Sequence, residues 1–175
     1  TDCAVANIII AWNTMEHFFP YFDVVKEVSE GEMSRWDYWN GKLNEFINMA
    51  LNTNTEKEHL ELINKFTASL NDGHGWVNYF NEKERCYPSF IVDWIQDSVV
   101  ITEVTDKSEK DIMPGDVIIQ VNGENIYDLV KRKDSLISAA TEQYRKKKNM
   151  DWELFKRSCG DKMEIVFSRN GNKFT

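Results

Sequence analysis

The sequence predicts an α+β fold in which a helical half precedes a sheet-rich half. Three observations carry that prediction. From Val5 to Leu70 apolar residues recur every three or four positions, the spacing of a buried helical face. After His74 the period shortens to two, as in strands, and two Asn-Gly pairs, Asn122-Gly123 and Asn170-Gly171, mark two-residue hairpin turns. A chain of 175 residues with 42% hydrophobic content can bury one good core or two small ones. Its 29% charged residues are mixed in sign, which excludes a disordered acidic tail.

The first helix presents Val5, Ile8, Ile9, Trp12, Met15 and Phe19, and Pro20 ends it because proline lacks an amide donor and clashes with the preceding turn. Phe18, Phe19, Tyr21 and Phe22 are read as core and inter-helix packing. Ser34 with Asp37 signals the start of a second helix, whose inward positions are Trp36, Trp39, Leu43, Phe46, Ile47 and Ala50. Thr55 with Glu58 opens a third, which carries Leu60, Ile63, Phe66 and Leu70 inward. It stops at Asn71, Asp72 and Gly73, residues suited to turns and left-handed backbone.

Strands are expected over 76–80, 90–95 and 99–104. Pro114 and Gly115 then reverse the chain, and Asp116 opens a strand in which Val117, Ile119 and Val121 alternate with Ile118 and Gln120. Helical period returns, with interruptions, from Tyr127 to about Phe155. Gly160 ends it, Lys162 to Arg169 is a last strand, and Lys173 to Thr175 remain for its return partner. Such a hairpin implies that the chain is a piece of a longer polypeptide.

A net charge of −8 and a pI near 5.0 argue against a nucleic-acid partner, since phosphate binding relies on Lys and Arg. The one basic run, Arg145 to Lys148, reads as a solvated helix face. No stretch has the roughly 18 apolar residues of a transmembrane helix. The sequence opens without an initiator Met or signal-peptide architecture, so any targeting segment is expected to have been removed. Cys3, Cys86 and Cys159 have neither metal nor redox spacing and are read as ordinary cysteines. No cofactor is implied. A metal-dependent hydrolase would require His17, His59 and His74 to converge; His17 and His59 are instead assigned to helix surfaces or interfaces.

The stretch LNDGHGWV at 70–77 sets His74 between two glycines at a helix end. An imidazole titrates near 6.5 when unperturbed, so at neutral pH it can take a proton from a hydroxyl and return it to a leaving amine. Gly73 and Gly75 leave the ring accessible and let a substrate backbone approach. The plain alternative is a turn histidine that caps a helix and does nothing more.

IMPGDVIIQVNGENIY at 112–127 resembles the core signature of bacterial PDZ domains. Together with IAWNTMEHFFPYFD at 10–23, LNDGHGWV and LISAATEQYR at 136–145, it resembles the N-terminal portion of S41-family serine peptidases, which include the C-terminal processing and tricorn proteases. The resemblance implies a three-helix domain over 1–80, then over 81–175 a PDZ-like, partly open β-barrel with an extended helical insertion. A catalytic core bearing the serine would lie C-terminal to this chain. It further implies His74 as general base, with Asp72, Gly73 and Gly75 shaping its turn; in the C-terminal processing branch a lysine from the core serves instead. The tricorn protease has a serine just before its histidine, whereas Gly73 stands here, so the orienting partner is expected from elsewhere. The PDZ-like domain would take a polypeptide substrate or a protein C-terminus by strand addition, with Phe90 and Val92 at the groove. Tyr87-Pro88-Ser89-Phe90, where a carboxylate-binding loop would lie, has no glycine, and Pro88 has no amide. Family members with this helical domain are commonly exported, which implies a periplasmic or extracellular site. The rival reading is a non-catalytic scaffold that keeps the PDZ-like module.

Overall fold

The computed structural model describes residues 2–22, 31, 33–77, 84–108 and 110–175. The chain is α+β and divides into two compact units, Thr1–Val77 and Asn78–Thr175.

The first unit holds α1 (Asp2–Phe18), α2 (Arg35–Leu51) and α3 (Glu56–Ala68). The caps are those the sequence announces. Ser34 Oγ accepts the Asp37 N–H, and Thr55 with Glu58 forms a complete capping box, so orphan amides at both helix starts are satisfied. The core gathers Ala4, Ile8, Trp39, Phe46, Ala50, Leu62, Phe66 and Leu70, with Phe22 closing it from beyond α1. Aromatic faces interlock there: Trp39 packs on Phe22 and Phe66, whose centroids lie 4.9 and 5.6 Å away.

Three readings of this unit are corrected. Trp36 is exposed and Tyr38 takes the inward place beside Trp39, while Ile9 also faces out. For Ile9 the reason is that the consecutive apolar residues Ile8 to Ile10 leave the helical phase ambiguous by one position, about 100°. Of the aromatic quartet, Phe22 is buried and Phe19 packs against the core, but Phe18 and Tyr21 are exposed. Of the strand expected over 76–80, Trp76 and Val77 are irregular, and 78–80 lie outside the described residues.

The second unit is built on an antiparallel sheet of β2 (Phe90–Ile95), β3 (Ser98–Val104), β4 (Val117–Val121), β5 (Glu124–Asn125), β7 (Ile165–Arg169) and β8 (Asn172–Phe174). Its order is β2-β3-β4-β7-β8, with β5 paired to β4. A separate two-stranded ladder joins β1 (Arg85–Cys86) to β6 (Arg157–Ser158). Three tight hairpins set the register. Gln96-Asp97, Asn122-Gly123 and Asn170-Gly171 all hold φ between 47° and 83°, the positive values that twist-matched two-residue turns require. The sheet does not close on itself among the described residues; β2 and β8 are its two ends.

α4 (Ile126–Asp134) starts at Asn125, whose side chain accepts the Tyr127 N–H, and buries Ile126, Leu129 and Val130 on the sheet. α5 (Glu142–Lys148) runs into a π turn, Asn149–Glu153, that delivers Met150, Leu154 and Phe155 to the same core. The expected long helical stretch is thus three short pieces. Its basic run is tied down within its own unit: Lys146 pairs with Glu142, Lys147 with Asp151, and Lys148 donates to the Ser138 carbonyl.

Two long-range ties complete the unit. Asp116, fully buried at the head of β4, accepts both Nε and a terminal nitrogen of Arg169 at 2.7 and 2.8 Å, and the Met113 N–H at 2.8 Å. Arg169 holds its carboxyl below the usual aspartate range, against the opposing effect of burial. The second tie corrects the cysteine reading: Cys86 and Cys159 form a disulfide across the β1–β6 ladder, their Cα atoms 4.9 Å apart, while Cys3 is free and exposed. An odd cysteine count hid a pair 73 residues apart.

Candidate active-site turn and peptide groove

His74 is positioned by the end of α3. Leu70 is buried, the Tyr38 hydroxyl donates to the Ser69 carbonyl, and Asn71 adopts the left-handed conformation (φ 51°) that stops the helix. The next four residues form a tight turn closed by the Gly75 N–H on the Asp72 carbonyl at 3.0 Å, with Gly73 and His74 at its centre. Asp72 shapes this turn twice over. One of its carboxylate oxygens accepts the His74 backbone N–H at 3.0 Å and contacts the ring Nδ1 at 2.9 Å. A carboxylate accepts but cannot donate unless protonated, so the contact selects the tautomer with its proton on Nδ1, and Nε2 is left with a lone pair. The side chain of His74 is 94% exposed. What the pair contributes is orientation; at such exposure it adds no more than about 1 kcal/mol of stability.

Gly73 offers no hydroxyl beside the ring, but Asp72, two residues back, reaches the His74 ring itself.

The second unit carries a cavity of about 310 Å3 between two walls. One is the start of β2, with Phe90, Ile91 and Val92 preceded by Tyr87 and Pro88; the other is the π turn and its exit, with Met150, Asp151, Trp152 and Phe155. Edge-to-face pairs bridge the walls, Phe90 with Phe155 at 5.4 Å and Tyr87 with Trp152 at 6.4 Å between centroids. Phe90 and Val92 both line this cavity, although Val92 is 4% exposed and belongs as much to the core. The Cys86–Cys159 disulfide lies at the root of both walls in sequence, next to Tyr87 and four residues beyond Phe155.

No protein-family model and no curated protein sequence matches the chain. Solved structures do. The chain aligns with mature CPAF at a TM-score of 0.64 and 17% identity, over 98% of its own length and 34% of that chain. Mature CPAF complexed with lactacystin gives 0.69 and 16% over the same shares, and a serine-to-alanine mutant of CPAF gives 0.60 and 14% over 98% and 32%. CPAF is a chlamydial serine protease. At these identities the likeness is one of fold. The chain spans about a third of the length of the solved proteins it matches.

Sequence reasoning missed the wall formed by Met150, Asp151 and Trp152, because a π turn leaves no periodic signature in five residues. The three histidines do not converge. His17 contacts the Asn13 carbonyl, His59 the Asn7 amide and His74 Asp72, and among the described residues no three His, Cys, Asp or Glu side chains form a metal-binding set.

Proposed function

We propose that this chain is the N-terminal portion of an S41-type serine peptidase, with a helical domain over 1–80 and a PDZ-like domain over 81–175. His74 is the general base toward a serine supplied from outside these 175 residues. The PDZ-like domain recognises or gates polypeptide substrate through strand addition to β2, with Phe90 and Val92 at the groove. The observation that carries this reading is the Asp72–His74 pair: in a fold shared along its length with a serine protease, one imidazole has its Nδ1 held by a carboxylate and its ring open to solvent. Those are two of the three parts of a nucleophile–base–orienter arrangement. Chemically, Nε2 would take the serine proton as the hydroxyl attacks a peptide carbonyl and return it to the departing amine. Asp72 would stabilise the imidazolium formed in between.

The disulfide supports an oxidising location, periplasmic or extracellular, since such bonds persist there and are rare in a reducing cytosol.

The test uses the longer polypeptide that contains this chain, assayed on a fluorogenic protein substrate. His74→Ala should lower kcat/KM by roughly ten-thousand-fold. Asp72→Asn should lower kcat while leaving KM within about twofold. Undiminished hydrolysis by His74→Ala sinks the assignment. So does peptide cleavage by the purified 175-residue chain that survives both His74→Ala and controls for contaminants.

A further inference from the structure

The groove's chemistry says which kind of polypeptide it accepts. A site that captures a chain terminus needs donors or a cation for the carboxylate, because an ionised group moved out of water without partners is strongly penalised. Among the described residues that line this cavity there is no Lys, Arg or His. Pro88, at the mouth, contributes no N–H. The one charged lining residue is itself a carboxylate, Asp151, already engaged by Lys147. The remaining lining is apolar or aromatic, apart from Thr105 and the Tyr87 hydroxyl.

The strand beside it remains suited to pairing. β2 ends the sheet, and in an antiparallel ladder alternate residues turn their N–H and C=O groups away from the existing partner. The Asp93 carboxylate takes the Trp94 N–H at 2.8 Å, which leaves the Phe90–Val92 half, the half that faces the cavity, as the usable edge.

We infer that this groove binds an internal, extended apolar segment of a polypeptide and discriminates against a free C-terminal carboxylate. The inference rests on the peptide-binding reading above and gives that site its substrate class. An internal segment brings only neutral backbone groups, which β2 can pair, and apolar side chains, which Phe90, Trp152 and Phe155 can cover. A terminus placed there would add a charge, and no Lys, Arg or His among the described lining residues can pair with it.

The test uses the 175-residue chain and three fluorescein-labelled peptides built on Lys-Ala-Val-Phe-Val. One ends as the free acid, one as the amide, and one continues through Gly-Ser-Lys-amide. Anisotropy at 0.15 M salt gives affinities, and amide shifts in a nitrogen–proton correlation spectrum locate the site. The amide and the extended peptide should bind within about twofold of each other and perturb β2, with the free acid weaker by about tenfold or more. Trp152→Ala removes an exposed side chain and should weaken the amide about tenfold without disturbing the rest of the spectrum. Tightest binding by the free acid overturns the inference while leaving the groove intact as a peptide site. Absence of binding by all three, or shifts confined to residues away from β2 and the π turn, overturns the peptide-binding reading and the inference with it.

Discussion

Arg169→Met should cost the second unit about 3–5 kcal/mol at pH 7, and the reason lies in what it strands. Asp116 is fully buried and keeps its charge through two nitrogens of one guanidinium plus a single backbone N–H. Removing the arginine leaves a buried carboxylate with one donor, the situation in which loss of one partner costs most. A unit of this size has a stability of about 5–15 kcal/mol, so the loss is a large share of it. The pH dependence follows from the depressed carboxyl. Asp116 titrates lower folded than unfolded, so its contribution is present above the unfolded value of about 3.9 and is lost as pH falls through the folded one. In Arg169→Met that contribution is gone, and protonation relieves the stranded charge, so the gap between variant and parent should narrow as pH is lowered from 7 to 4. Native-state hydrogen exchange of the β4 and β7 amides reads this unit by itself; their globally exchanging protons should speed up by roughly two to three and a half orders of magnitude. Asp116→Asn with Arg169→Met should recover much of the loss. An acceleration under fivefold at pH 7, or an equal cost at pH 7 and pH 4, would refute the reasoning.

Replacing Cys86 and Cys159 by serine frees a 73-residue loop in the unfolded chain and should lower stability by about 4 kcal/mol on the loop-entropy account; unchanged urea midpoints would contradict it. Thr55→Ala removes the capping box of α3 and should cost about 1 kcal/mol, read as a lower melting temperature of the helical unit by far-ultraviolet circular dichroism. Asp134 has its carboxyl raised, chiefly by burial, despite a hydrogen bond from the Asn149 amide. Its contribution is therefore fully present below the unfolded value and lost as pH rises through the folded one, so Asp134→Asn should flatten the decline in stability above about pH 4. A pH profile identical to the parent's would count against that.

The parts of this fold that were legible in advance are those governed by neighbours in sequence. A Thr-x-x-Glu box, an Asn-Gly pair and a Pro-Gly turn each act over a few residues through hydrogen bonds or allowed dihedrals, and each stands where the residues announce it. The ties that depend on folding to bring partners together could not be read: Asp116 with Arg169 across 53 residues, and Cys86 with Cys159 across 73. At the candidate site the same division holds. The turn around His74 was legible because Asn, Asp and Gly specify it. That Asp72 would grip the ring as well as the backbone was within reach of an Asx turn placed two residues before a histidine. The groove's second wall was not legible, because its π turn, which packs against α4 and β2, carries no periodic signature in five residues.

The disulfide turns part of the chain into a closed ring with a tail. Residues 86 to 159 make a covalent circuit that contains β2 to β5, both short helices and the whole described lining of the groove, whereas β7 and β8 lie outside it. A single backbone cut inside the ring leaves its two pieces joined, so a protease acting on the loop after Val104 would not separate the groove's walls. A cut between Gly160 and Glu164 would detach the β7–β8 hairpin from the ring, leaving it held without a covalent link by its pairing with β4, the packing of Ile165 on the core and the Arg169–Asp116 pair. Non-reducing electrophoresis of a lightly digested sample would distinguish the two classes of nick.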